Sequence, residues 1–105
     1  MLQKPRKIKK ARTISEVRDV VIPILTEHDI KRASLFGSIV RDDFTSSSDV
    51  DFLIEFNGRK SLLDLVGLKD DLEALLNRKV DVITFDSLNH LLRDRILAEQ
   101  VLIYP

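Results

Sequence analysis

The chain has 105 residues, of which 44% are hydrophobic and 32% charged, and its formal net charge is zero. This length fits one globular domain, and the balanced charge gives no global field that would attract nucleic acid or a membrane surface. The absence of cysteine excludes disulfides, thiolate metal sites and cysteine nucleophiles. No apolar run approaches the roughly 20 residues of a membrane span, and no signal-peptide pattern is present, so we expect a cytoplasmic protein.

Positive charge is concentrated near the amino terminus. The run KPRKIKKAR, residues 4–12, carries six basic side chains. Blocks of like charge at chain ends are usually solvated, so we predict a basic, flexible segment at residues 1–12. The alternative is a docking segment for an acidic partner or nucleic acid.

The first helix is predicted to begin near Thr13. Thr13–Glu16 has the capping-box pattern, and the following apolar residues recur at helical spacing. Pro23 removes one backbone donor, so it should kink or split this helix, which ends by about Asp29. A short strand, Lys31–Phe36, follows and stops at Gly37.

The clearest strand is Val50–Phe56, which follows a polar loop at residues 43–48. Because side chains alternate along a strand, Asp49 and Asp51 share one face with Leu53. We expect the opposite face to pack inward and the aspartate face to be open. The inward face consists of Val50, Phe52, Ile54 and Phe56.

The remaining elements follow in order. A Leu-rich helix occupies residues 61–77, and a third strand occupies residues 78–85. Asp86-Ser87 offers the N-cap of a last helix that runs to about residue 100, and residues 101–104 form a short edge strand. This order predicts an α/β (α+β) fold, a small mixed β-sheet with helices packed against it.

Three aspartates are predicted to share one face of the sheet. Asp49 and Asp51 lie about 6.5 Å apart on one strand, and Asp81 has the same apolar–acid–apolar setting on a strand that would lie about 4.8 Å away. Three like charges at this range repel one another, and a divalent cation would reverse that penalty. Carboxylate oxygens select Mg²⁺ or Mn²⁺, and two such ions would clamp a phosphoryl group. Taken alone, the Asp49/Asp51 pair also fits the solvent face of a half-buried strand.

Gly37 and Ser38 follow the first strand. A glycine lets the backbone approach a ligand closely, and the free N–H groups at the start of the next helix favour an anion. Ser38 adds a hydroxyl donor. An ordinary tight turn uses the same two residues, so their significance lies in their position before the acidic strand.

Gly37-Ser38, ten residues and then Asp49-Val50-Asp51 resemble the GSx10DxD signature of the polymerase-β-type nucleotidyltransferase superfamily. The segments KRASLFGS, SDVDFLIEF, RKVDVIT and RDRILAEQVLIYP resemble the minimal nucleotidyltransferases, the MNT family. The resemblance covers about residues 21–104. It implies a nucleotidyltransferase fold, with a single domain at residues 13–105.

The resemblance implies a role for each motif. Asp49, Asp51 and Asp81 match the catalytic metal ligands of the superfamily, and Asp81 would also help to activate the attacking hydroxyl. Gly37 and Ser38 match the turn that holds the nucleotide phosphates.

A third motif matches only in part. Arg41 matches a basic position in the family's usual GSRARG run, where it could contact phosphate or brace the acidic cluster. Ile39 and Asp42 stand where Arg and Gly are common. The chain therefore has one fewer positive charge near the phosphates.

Family members of this size are often antitoxins whose partner is a HEPN-domain ribonuclease toxin. The resemblance therefore implies Mg²⁺-dependent transfer of AMP from ATP to a tyrosine of that toxin, within a hetero-oligomer. Two other functions stay open. The protein could neutralise a toxin by binding alone, with a residual acidic site, or transfer a nucleotidyl group to a small molecule or nucleic acid. The last is disfavoured because such enzymes usually carry a further domain for the acceptor.

Overall fold

The computed structural model describes residues 13–105, so the predicted basic segment at residues 1–12 lies outside it. The helices are α1 (Ile14–Glu27), α2 (Ser38–Arg41), α3 (Leu62–Leu76) and α4 (His90–Glu99). The strands are β1 (Ile30–Phe36), β2 (Val50–Phe56), β3 (Val80–Thr84) and β4 (Val101–Tyr104), and a 3₁₀ turn, Phe85–Ser87, follows β3. Within this part of the chain, every helix is too short or too polar to cross a membrane.

Side-chain caps define where the two long helices begin. Thr13 accepts a hydrogen bond from the backbone N–H of Glu16 at 3.1 Å, and the Glu16 carboxylate accepts one from the Thr13 N–H at 3.0 Å. Ser61 and Asp64 make the same exchange at the start of α3. Both capping boxes satisfy backbone donors that a helix start leaves free.

Pro23 does not split α1, which is continuous from Ile14 to Glu27. Pro23 is exposed, so the carbonyl group that loses its intrahelical donor can be hydrated. The helix is held on both sides of the proline by packing, because Val17, Val21 and Leu25 are fully buried.

The four strands form one mixed sheet with the order β3-β2-β1-β4. β1 is antiparallel to both of its neighbours, whereas β2 and β3 are parallel. A parallel pair needs a long crossover connection, and α3 supplies it. The predicted mixed sheet is confirmed, as is the edge strand at Val101–Tyr104.

Helices cover both faces of the sheet. α1 and α3 pack on the face that carries Val50, Phe52 and Ile54 and form the main core with it. On the other face, Leu53 is fully buried in a smaller cluster with Phe36 and with Ile96 of α4. The face that carries the aspartates is therefore covered by α4 at Leu53, so it is not the plain solvent face of a half-buried strand.

The start of α4 also differs from the prediction. The N-cap is Asn89, whose side chain accepts the Leu91 N–H at 2.8 Å. Asp86 and Ser87 instead belong to the 3₁₀ turn, where the Ser87 hydroxyl bonds back to the carbonyl of Thr84. The predicted cap pair therefore stabilises the turn that precedes the helix.

Candidate active site

The parallel pairing of β2 and β3 brings two of the predicted aspartates together. Val50 lies opposite Val80, and Asp51 lies opposite Asp81. Both valines belong to the main core, so alternation places both aspartates on the face that α4 covers. On the other side of β2, Phe36 lies opposite Asp51. This register sets Asp51 between Asp81 and the end of β1.

Asp49, Asp51 and Asp81 are close enough to interact electrostatically. Asp49 directly precedes β2 and is half-buried like Asp51, whereas Asp81 is exposed. Burial, followed by the charges of Asp81 and Asp49, raises the pKa of Asp51 to about 6. The positive charge of Arg41 lowers the pKa of Asp51, and the charge of Glu99 raises it. The carboxylates of Asp49 and Asp81 thus disfavour the ionised form of Asp51.

The donor chemistry of this cluster fits a hard divalent cation. Among residues 13–105, no three His, Cys, Asp or Glu side chains form a group that could by itself hold a metal ion. Mg²⁺ commonly binds through one or two carboxylates and completes its coordination with water and substrate phosphates. Asp51 and its acidic neighbours supply oxygen ligands only, and a cation would offset their mutual repulsion.

Gly37 borders Asp51 from the side of β1. Its backbone has a φ of 81°, in the region that glycine adopts at least cost. A Cβ at this position would overlap Oδ2 of Asp51. Ser38 begins α2 and is partly exposed beside this turn. Glycine therefore permits the turn to lie directly against the carboxylate.

The structure places Ile39 and Arg41 of α2 in different surroundings. Ile39 is buried in the main core, so the residue that replaces the common arginine does not face the aspartates. Arg41 donates a hydrogen bond from Nη1 to Glu99 at 3.1 Å, and its Nε lies 3.7 Å from Asp43. The guanidinium thus forms ion pairs with Glu99 and Asp43, neither of which is a predicted metal ligand.

Glu99 is a site residue that the sequence reasoning missed. It is the last residue of α4, and its Oε1 accepts the backbone N–H of Gly37 in addition to the Arg41 bond. The local signal is an acidic residue at the C-terminus of a helix. Its charge interacts unfavourably with the helix dipole, so it usually needs a compensating partner. The partner lies 62 positions away in the sequence, too far for any local pattern to reveal.

Arg78 is a second missed residue, and it organises the loop that leads to Asp49. Its side chain is buried, and its Nη1 donates to three loop carbonyls at 3.1–3.2 Å, those of Thr45, Ser46 and Ser48. The guanidinium also lies 4.4 Å from the centre of the Phe44 ring. The sequence reasoning placed Arg78 in the third strand, but β3 begins at Val80.

A cavity of about 190 Å³ lies between the Gly37 turn and α4, with Asp51, Arg41, Arg95 and Glu99 in its lining. Ligand pockets usually have volumes of about 300–1,000 Å³, so this space suits a phosphate group better than a whole nucleotide. A larger cleft of about 700 Å³ is lined by the far end of β2, and none of the predicted site residues lines it. The carboxylates, and not the size of the cavity, identify the candidate active site.

Comparisons with known proteins show the family of this chain. Residues 19–105 match the family described as Polymerase beta, Nucleotidyltransferase. A Methanocaldococcus jannaschii protein named "putative protein adenylyltransferase" is 52% identical over 88 residues, which cover 84% of this chain and 95% of that protein. A solved structure of a "putative minimal nucleotidyltransferase" has a TM-score of 0.70 and 34% identity, covering 80% of this chain and 86% of the other.

A further solved structure shares the fold. It contains a tri-AMPylated HEPN toxin of Shewanella oneidensis in complex with an MNT antitoxin, and it matches with a TM-score of 0.67 and 16% identity over 85% of this chain and 70% of the other. The family match spans most of the chain and confirms the resemblance first seen in the motifs. The protein is a nucleotidyltransferase, and it belongs to the polymerase β family of these enzymes.

Proposed function

We propose that this enzyme transfers AMP from ATP to a tyrosine of a HEPN ribonuclease toxin, with Mg²⁺ as its metal, and thereby acts as a cytoplasmic antitoxin. The observation that carries the proposal is the register of Asp51 and Asp81 beside the Gly37 turn. The names of similar proteins support a protein acceptor, since one is called a protein adenylyltransferase and another is bound to an AMPylated HEPN toxin.

In this proposal, Asp49, Asp51 and Asp81 hold the metal, and the same oxygen donors would accept Mn²⁺. When bound, the ions would supply positive charge to the phosphates and to the charge that develops at the α-phosphate. Gly37 lets the backbone approach the phosphates closely, and Ser38 offers a hydroxyl donor beside it. Gly37 lies directly against Asp51, and Ser38 follows it in the chain, so the metal and the phosphates would meet at one place.

The acceptor would approach from the side of Asp81. Asp81 is exposed, so a tyrosine presented by another protein can reach it within hydrogen-bond distance. The tyrosine oxygen bonds to the α-phosphorus, the bond from that phosphorus to the pyrophosphate oxygen breaks, and the tyrosine proton passes to Asp81. Pyrophosphate leaves, and the toxin keeps AMP on its tyrosine.

The test combines the purified protein with the HEPN protein encoded beside its gene, ATP and Mg²⁺. Intact-mass spectrometry is expected to show a toxin that has gained AMP. Asp81→Asn should lower the rate at least about 100-fold, the usual contribution of a general base. Asp86→Asn removes the same charge from an exposed position in the neighbouring 3₁₀ turn and should leave the rate unchanged. Modification by Asp81→Asn at the wild-type rate, or no modification by the wild type, contradicts the proposal.

A second candidate is an antitoxin that acts by binding alone. The state of α2 favours it, because Ile39 faces the core and Arg41 is engaged by Glu99 and Asp43. Such a turn offers phosphates fewer free cations than the family's usual run. Cell survival during toxin expression separates the two functions. If Asp51→Ala protects cells as well as the wild type, binding alone is sufficient.

A further inference from the structure

The carboxylate of Glu99 ties the two ends of α2 together. Gly37 precedes this helix and donates its backbone N–H to Glu99 Oε1, while Arg41, the last residue of the helix, donates Nη1 to the same oxygen at 3.1 Å. Arg41 Nη1 also lies 3.4 Å from Glu99 Oε2. The Glu99 side chain is only 14% exposed, whereas that of Arg41 is 42% exposed, so the Gly37 contact is the better shielded of the two from water.

α2 has little of its own to hold it in place. It has four residues, and a single helical turn is too short to be stable in isolation. Gly37 at its N-cap has no side chain to bond the free backbone donors, and Asp42 at its C-cap has a left-handed φ of 68°. The geometry of this turn therefore depends on contacts from other parts of the fold, and Glu99 provides one from α4.

A small displacement of the turn would also move the carboxylate of Asp51 in the candidate metal site. Gly37 lies so close to Asp51 that even a Cβ would overlap the carboxylate. Ser38 is the next residue along the chain. The position of Ser38, the proposed hydrogen-bond donor to phosphate, is therefore coupled through Gly37 to that of Asp51, a proposed metal ligand.

The negative charge of Glu99 does not by itself explain its place here. It lies at a helix C-terminus, where the dipole disfavours an anion, and it is near enough to Asp51 to repel its ionised form. It would also repel nucleotide phosphates. What favours Glu99 at this position is its ability to accept two hydrogen bonds from donors at opposite ends of α2.

We propose that Glu99 is a positioning residue, which holds Gly37 and Arg41 in place around Asp51 so that nucleotide phosphates meet a preformed turn. The inference rests on the proposed nucleotide-dependent function. A carboxylate that competed with a phosphate for this backbone N–H and this arginine would have the opposite effect. The two effects predict opposite changes in nucleotide affinity when the carboxylate is removed.

The test uses three variants and two measurements. Glu99→Ala removes the acceptor, Glu99→Gln keeps an acceptor oxygen without the charge, and Asp94→Ala removes an exposed acid from the same helix as the control. The first measurement is hydrogen exchange of the Gly37 amide by NMR, in the protein without metal or nucleotide. Glu99→Ala should accelerate this exchange at least about tenfold, whereas Glu99→Gln and Asp94→Ala should match the wild type.

The second measurement is the affinity for ATP with Mg²⁺ by calorimetry. Glu99→Ala should weaken binding about tenfold, the equivalent of one charge-assisted hydrogen bond, and Glu99→Gln should restore affinity to within about threefold of the wild type. Exchange of the Leu35 and Phe52 amides in the sheet reports whether each variant is folded. If Glu99→Ala does not fold, Glu99→Met replaces it, since methionine has a similar volume and no carboxylate.

Three results would overturn the positioning role. They are unchanged Gly37 exchange in Glu99→Ala, tighter ATP binding by Glu99→Ala, and loss of affinity in Glu99→Gln equal to that in Glu99→Ala. Failure of the proposed function is a separate result, seen when the wild type neither binds ATP nor modifies the toxin. Gly37 exchange in the free protein tests the positioning role in that case too.

Discussion

Replacing Asp51 by asparagine should stabilise the metal-free protein at neutral pH, although it should abolish AMP transfer. Burial and the neighbouring carboxylates raise the pKa of Asp51 from its ordinary value of 3.8 to about 6. The folded state therefore holds this proton more tightly than the unfolded state does. The free energy of unfolding of the wild-type protein therefore falls as pH rises from about 4 to about 6, and it stays low above that range. The amide of the Asp51→Asn variant would remain neutral throughout.

The size of this effect follows from the difference between the two pKa values. A difference of about two units corresponds to about 3 kcal/mol. Asp51 is only half-buried, so solvent screening reduces this figure, and we take half of it, about 1.5 kcal/mol. For a domain of this size, that change raises the melting temperature by about 6–12 °C.

Thermal unfolding followed by circular dichroism, with a chelator present, measures the difference. At pH 7.5, Asp51→Asn should melt at a higher temperature than the wild type, and at pH 4 the two should nearly coincide. Adding Mg²⁺ at pH 7.5 should raise the melting temperature of the wild type more than that of Asp51→Asn. Equal differences at pH 4 and pH 7.5 would refute the reasoning, because they would show that ionisation of Asp51 is not the cause.

Three further substitutions test other contacts. Arg78→Met removes the donor to the three loop carbonyls, so urea denaturation should show a loss of about 2 kcal/mol in the free energy of unfolding, and a loss below about 0.5 kcal/mol contradicts this. Gly37→Ala combines a strained φ with overlap of Asp51. It should lower the free energy of unfolding by at least about 2 kcal/mol and abolish AMP transfer. Gly58→Ala, which has a φ of 69° but open space around it, is the control for strain alone and should retain activity. The fully buried hydroxyl of Ser34 has no hydrogen-bond partner within residues 13–105, so Ser34→Ala should leave the free energy of unfolding unchanged or raise it by up to about 1 kcal/mol, and any measurable loss contradicts this.

The parts of the fold that local patterns encode could be predicted from the sequence. Alternation of apolar and acidic residues gave β2 its observed bounds, Val50–Phe56. The capping boxes at Thr13 and Ser61 gave the starts of the two long helices. The shared face of Asp51 and Asp81 also followed from alternation, once their strands were assumed to be neighbours.

The parts that depend on distant contacts could not be predicted. Leu53 shares the face of the aspartates, but nothing near it in sequence reveals that α4 is the element that packs over it. Asp86 and Ser87 are good capping residues, but the fold uses them in a 3₁₀ turn and caps α4 with Asn89. Glu99 and Arg78 are ordinary charged residues by pattern, and only the tertiary structure shows that they hold the two loops on either side of the aspartates.

The parallel pairing of β2 with β3 also sets an order of events during synthesis of the protein. β1 and β2 are the first strands to be synthesised, and their pairing in the folded protein places Gly37 near Asp51. Asp81 joins them only after α3 has formed the crossover, because non-local pairing is slow to form. Glu99 arrives later still, followed by the strand that pairs with the free edge of β1. A nascent chain therefore carries all three aspartates before it has the last contact to the turn beside them, and nucleotide affinity would reach its full value only when residue 99 has docked.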